Sequence, residues 1–311
     1  MSVQSRWVRW WIPLGWALLF APLGAVAAQP AVVASIKPVH ALVAGVMLGV
    51  GEPRLLVAGG ASPHEYSLKP SDGRALGAAQ VVFWIGPALE NFLVKPLANA
   101  PAARSVALLT APGVTVLPLR EGGVWEAHDE AHDHAHDLTA SHDAHVWLDP
   151  VNAIAMVRQI VAVLGAADPA HQAEYARNGA ALVERLERLN QHLAAALAPV
   201  RTLPYLVFHD AYQYFERRYG LNAVGSVVLS PEQRPGAKRV AEIQARVRER
   251  KVRCVFSEPQ FQPALVATII AGSAARQGVL DPLGAELPAG PDAYFHLLEA
   301  LAEAVRGCLG G

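Results

Sequence analysis

Leu182, Leu186, Leu189, Leu193 and Leu197 recur at steps of three and four residues, so all five fall on one face of an α-helix. Asp168-Pro169 supplies an N-cap with proline in the first turn, and Pro199 marks the end. A long helix between two flanks reads as a stiff rod joining two lobes, with an ordinary core helix as the alternative that periodicity leaves open. Each flank is written in the same style, with short β-branched runs alternating with helical stretches, the pattern of mostly parallel sheets. Before the rod, strands are expected over Ala31 to Ile36, Arg54 to Val57, Val81 to Trp84, Ser105 to Leu108 and Val114 to Leu117. Helices are expected from Val39 to about Val50 and from Pro70-Ser71-Asp72 onward. After the rod, strands are expected near Tyr205 to Phe208, Ala223 to Val228, Arg253 to Phe256 and Gly278 to Leu280. The expected fold is therefore α/β: two lobes with mostly parallel sheets flanked by helices, joined by a long rigid helix.

The first residues set the compartment. Arg6 and Arg9 precede an apolar run from Trp10 to about Val26, followed by the small residues Ala25, Ala27 and Ala28. A basic start, an apolar stretch and an A-x-A site predict a cleaved secretory leader over residues 1–28. Pro13 and Pro22 interrupt the run, which is short for a membrane span. A periplasmic product follows. The remainder divides into an N-terminal lobe over 29–166, the linking helix over 167–200 and a C-terminal lobe over 201–311.

Charge narrows the function. The chain has 26 basic and 27 acidic residues, and removing Arg6 and Arg9 with the leader leaves 24 against 27, a net of −3. That balance argues against nucleic acid, whose binding needs a basic face to release counterions. The two cysteines, Cys254 and Cys308, read as one disulfide in an oxidising compartment, since their spacing matches no zinc motif. No G-x-x-x-x-G-K-[ST] loop is present, so nucleotide hydrolysis would belong to another subunit.

Histidine carries the chemistry. From Glu121 to His142 the chain alternates His with Asp and Ala, a composition that cannot bury a core and reads as a loop. His128, His132, His134, His136 and His142 there suit weak auxiliary metal capture, or a solvated insert with no such role. Three other histidines stand at junctions between elements. His64 lies in S-P-H-E-Y, His145 precedes the helix cap Asp149-Pro150, and His209 follows the apolar run Tyr205 to Phe208. Ligands of open α/β sheets bind beyond the carboxyl ends of strands, where such loops gather. Three imidazoles suit Zn²⁺ and leave one tetrahedral position open. His40, His171, His192 and His296 sit in helical stretches and read as structural or surface residues.

Several motifs together carry a resemblance. S-I-K-P-V-H from Ser35, G-A-S-P-H-E-Y-S-L-K-P-S-D from Gly60, H-V-W-L-D-P from His145, F-H-D-A-Y-Q-Y-F from Phe208 and F-S-E-P-Q-F from Phe256 are similar to segments of the ZnuA-type receptors of bacterial zinc ABC importers. The resemblance implies two α/β lobes bridged by a long helix, with zinc in the cleft between them. It implies ligation by His64, His145 and His209 and a disulfide between Cys254 and Cys308. Asp281, in L-D-P-L-G, matches an aspartate ligand of related receptors, with water, Glu65 or a loop histidine as alternatives for the fourth position. Where some relatives have glutamate before the first histidine, this chain has Pro63. Manganese receptors use carboxylates at two of the four positions, with Glu at the place of His209, so the nitrogen-rich set points to zinc. The implied partners are a membrane permease and a separate ATPase, with an auxiliary zinc chaperone as a further candidate, around a monomeric receptor. The rival reading is a zinc-dependent hydrolase or lyase with a His₃–water site, with Glu65 or Glu258 as its base; no H-E-x-x-H helix accompanies it.

Overall fold

The structure, a computed structural model, describes residues 1, 29–100, 103–120, 142–228, 235–260 and 264–311. In the described residues, eight strands form two sheets of four. The first contains β1 (Val32–Ile36), β2 (Arg54–Val57), β3 (Val81–Trp84) and β4 (Arg104–Ala107), in the order β2-β1-β3-β4. The second contains β5 (Tyr205–Val207), β6 (Ala223–Ser226), β7 (Cys254–Ser257) and β8 (Arg276–Val279), in the equivalent order β6-β5-β7-β8. All pairings are parallel. Every residue of β1, β3, β5 and β7 is buried, as the central strands of a sheet covered on both faces require. Strand order reverses between β1 and β3 and again between β5 and β7. Those reversals open a crevice at the carboxyl edge of each sheet.

Helices α1 (Lys37–Val46), α2 (Pro70–Ala78), α3 (Asn91–Ala98) and α4 (Pro150–Ala167) belong to the first half, and α5 (Gln172–Leu197) is the rod. The second half adds α6 (Gln213–Tyr219), α7 (Ala237–Glu249), α8 (Ala264–Ile270) and α9 (Ala293–Gly310). The five leucines of the rod are all buried, and its 26 residues span about 39 Å at 1.5 Å each. Gly179 permits the close packing of α5 on α4, because a Cβ there would clash with Val161 Cγ2. Helix α4 is long and apolar enough to cross a bilayer, yet 61% of it is buried inside the protein, against α5 and α1. It is a core helix.

The two halves are tied directly as well as through the rod. Lys37, at the end of β1, is buried and donates its Nζ to the backbone carbonyls of Gly284, Ala285 and Leu287. Trp147 Nε1 donates to Pro282 O at 2.8 Å, and Tyr294 Oη donates to Trp147 O at 2.6 Å. One continuous apolar core draws on both sheets, with a smaller cluster formed by β5 and β7 with α7 and α8. The expected disulfide is present, joining Cys254 at the start of β7 to Cys308 in α9.

Three local expectations are corrected. Val114 to Leu117 forms no strand, because side chains take its backbone groups. Asn152 accepts from Thr115 N–H and donates to Thr115 O, while Tyr214 Oη accepts from Leu117 N–H. Only an isolated bridge between Pro118 and His142 remains. Strand β8 begins at Arg276, two residues before the expected Gly278. Asp168 does not open α5 directly. Its carboxylate accepts from His171 Nδ1 and Tyr175 Oη across a short 3₁₀ turn, Pro169–His171, and α5 begins at Gln172. Apart from Met1 and His142, the expected leader and the His-rich loop lie outside the described residues.

Candidate metal centre

His64, His145 and His209 converge. One ring nitrogen from each lies within 4.8 Å of the others, and among the described residues these three are the side chains so grouped. Ring centroids are 5.4 Å apart for His64 and His145, 6.0 Å for His64 and His209, and 5.3 Å for His145 and His209. His145 Nε2 and His209 Nε2 are 3.4 Å apart. Two nitrogens on a tetrahedral zinc with bonds of 2.0–2.1 Å would be separated by about 3.3 Å. The spacing fits a single ion.

Each ring is placed by its own local structure. His64 rides on the loop between β2 and α2, where its N–H donates to Ser62 Oγ and Tyr66 Oη anchors the loop on Asp72 Oδ2. Asp72 also accepts from Lys69 N–H, which caps α2, so the loop ends where the helix is nucleated. His145 follows a turn in which Asp143 Oδ1 accepts both its N–H and its Nδ1–H, at 2.9 and 2.7 Å. A 3₁₀ turn then leads to Asp149, which caps α4 by accepting from Val151 N–H and pairs with Arg218. His209 leaves the carboxyl end of β5 and donates Nδ1–H to Glu258 Oε1 at 2.5 Å, Glu258 itself following β7. That pair sits at the crevice where the second sheet reverses order. Its neighbour Asp210 is gripped by Arg120, which also pairs with Glu216. With both Nδ1 atoms held by carboxylates, the Nε2 lone pairs face the ion position, and the carboxylates raise the basicity of the rings.

Electrostatics prepare two of the rings to bind metal. Burial, with His145 and His209 adding repulsion, pushes His64 down to about 2. Burial followed by His209 pushes His145 down to about 3. Burial opposes charge on His209 as well, but Glu258, by charge and hydrogen bond, with Asp210 and Asp143, raises it above the usual imidazole range. Burial also lifts Asp143 to about 7, against the His145 N–H and Arg120, which pull it down.

The cavity beside the rings has a volume of about 20 Å³, room for roughly one water. Ser62, Pro63 and Trp147 wall it from the first half; Glu258, Gln260, Pro282 and Leu283 wall it from the second. Asp281 stands outside the convergent group. Its carboxylate accepts from the N–H groups of Leu283, Gly284 and Ala285, and from Gln260 Nε2 at 3.4 Å. Glu65 is exposed and does not line the cavity. His40 is a core residue bonded to Pro53 O at 3.0 Å, and His171 pairs with Asp168. Sequence reasoning missed Asp143, Gln260 and Lys37 as parts of this region. Asp143 had a faint signal, two residues before His145 in H-D-A-H; Lys37 is defined only by contacts across the cleft, and Gln260 by its contact with Asp281 and its place in the cavity wall.

Two parallel-sheet lobes of equal strand order, joined by a rigid helix and closing on a nitrogen-rich cavity, define a two-lobed solute receptor. The chain belongs to the family described as zinc-uptake complex component A, periplasmic, whose model matches residues 32–308. It is 47% identical over 304 residues to the high-affinity zinc uptake system protein ZnuA of Brucella abortus, covering 89% of this chain and 91% of that one. A crystal structure of ZnuA is 28% identical, with a TM-score of 0.76 over 89% of this chain and 98% of the other. A ZnuA deletion mutant with zinc bound is 27% identical, with a TM-score of 0.74 over 89% and 97%. The expected α/β fold and zinc-receptor family are thereby borne out, and the hydrolase reading is not favoured.

Proposed function

We propose that this protein captures one Zn²⁺ in the periplasm with His64, His145 and His209 and delivers it to the permease of an ABC importer powered by a separate ATPase. The observation that carries this reading is the meeting of three imidazoles, from segments far apart in sequence, at one buried point between the lobes. Residues 1–28 act as the removed leader, 29–166 and 201–311 as the two lobes, and 167–200 as the link. The receptor works as a monomer, accepting zinc directly or from an auxiliary chaperone, and catalyses no reaction. Glu258, the best placed base for a hydrolase, is already committed to His209 Nδ1. In a strain lacking its own receptor, the wild-type gene should restore growth under zinc chelation, and a His209→Ala gene should not. Equal rescue by both would contradict the proposal.

Two further outcomes follow from the geometry. Glu258→Gln removes the charge that orients and polarises His209, and it should weaken zinc binding by about ten- to a hundredfold. Competition titration against a chromophoric chelator checks this. The pH dependence has a definite sign. His209 holds a proton from above the usual imidazole range downward, whereas His64 and His145 stay neutral to about 2 and 3. Zinc must therefore displace the His209 proton in mildly acidic solution, together with any proton lost from Asp143, and affinity should fall about ten- to a hundredfold per pH unit. Three ordinary imidazoles would instead give about a thousandfold per unit below their common pKa. The same titration at stepped pH between about 5 and 6.5 separates the two.

A further inference from the structure

Three imidazoles leave one position on a tetrahedral zinc. We propose that a water fills it and that Gln260 is the positioning residue that holds this water, with Asp281 aiming Gln260 rather than touching the ion. The inference rests on the three-histidine site proposed above.

A water on a divalent cation is a strong hydrogen-bond donor and needs an acceptor in a cavity of about 20 Å³. The polar groups in the wall are few and mostly committed. Trp147 Nε1 donates to Pro282 O, Ser62 Oγ accepts from His64 N–H, and Glu258 Oε1 accepts from His209 Nδ1–H. Pro63, Pro282 and Leu283 offer no side-chain acceptor. Gln260 differs: its Oε1 is buried and has no hydrogen-bond partner among the described residues. Buried amide oxygens are normally satisfied, so one left over in the wall of a cavity that three imidazoles line points to a partner that occupies the cavity.

The orientation of that amide is determined by its neighbours. Asp281 Oδ1 can only accept, so the Gln260 nitrogen must face it and the oxygen must face away. Asp281 is itself locked by the N–H groups of Leu283, Gly284 and Ala285, in a loop whose carbonyls are held by Lys37. The chain of contacts runs from Lys37 through the 281–287 loop to Gln260.

The test uses the full mature chain, with zinc affinity by chelator competition and the zinc coordination shell by X-ray absorption. Gln260→Met, which keeps the bulk but not the acceptor, should lose about tenfold in affinity. Gln260→Glu, which restores an acceptor, should recover it. Asp281→Asn still offers an oxygen to Gln260 and to the turn, and should stay within about threefold of wild type. Melting of each metal-free variant guards against a merely structural loss. Wild-type affinity in Gln260→Met would overturn the proposal. So would an Asp281→Asn loss larger than that of Gln260→Met, accompanied by a changed oxygen contribution in the absorption spectrum, because Asp281 would then be the direct ligand. Fewer than three imidazoles on zinc in the wild-type spectrum would instead refute the underlying site, a separate failure.

Discussion

Replacing His209 or His145 with alanine is expected to lower zinc affinity by more than about a hundredfold, since loss of an orienting partner alone costs ten- to a hundredfold. Both rings are buried, each fixed through Nδ1 by a carboxylate, with their Nε2 atoms 3.4 Å apart. Among the described residues, no imidazole other than His64 joins them in the cavity wall. Each substitution also strands a buried carboxylate, Asp143 or Glu258, which repels no ion but can no longer aim a ligand. His64→Ala should be severe but milder than the other two. That ring is only half-buried, and no carboxylate bond to it is seen among the described residues. Chelator competition on the three purified variants checks the order; a variant at His145 or His209 within about tenfold of wild type would contradict it.

The second large effect concerns stability. The disulfide closes a loop with a sequence separation of 54 residues, and chain-entropy reasoning gives its removal a cost of about 4 kcal/mol. Cys254→Ser with Cys308→Ser should therefore lower the melting temperature by about 10 °C in a protein of this size. Zinc affinity should change little. Cys254 opens β7 at the amino edge of the second sheet, whereas Glu258 and the metal cavity lie past the opposite edge. Thermal melts in the oxidised and doubly substituted forms, each with a zinc titration, separate the two quantities. A drop of under about 2 °C would show that the bridge constrains little.

How far the structure could be read from the chain depended on whether the signal was local. The leucine face of α5 and the apolar strands β1, β3, β5 and β7 announce themselves, because burial on one face or both imposes a period. The three histidines were legible as candidates because each sits where an element ends. Val114 to Leu117 misled because a β-branched run says nothing about where its backbone groups go. Here they go to Asn152 and Tyr214, residues 37 and 97 positions away. The same limit hid the pairing of His209 with Glu258, 49 residues on, and the orientation of Gln260 by Asp281. Lys37 shows it most plainly. A lysine opening a helix reads as surface, yet its three carbonyl partners lie across the cleft, about 250 residues later.

The most direct test is anomalous diffraction at the zinc edge from crystals loaded with one equivalent of the metal. The account predicts one strong peak between the lobes, within about 2.0–2.1 Å of a ring nitrogen of His64, His145 and His209 together. A principal peak elsewhere, or one bonded to fewer than two of those rings, would contradict it.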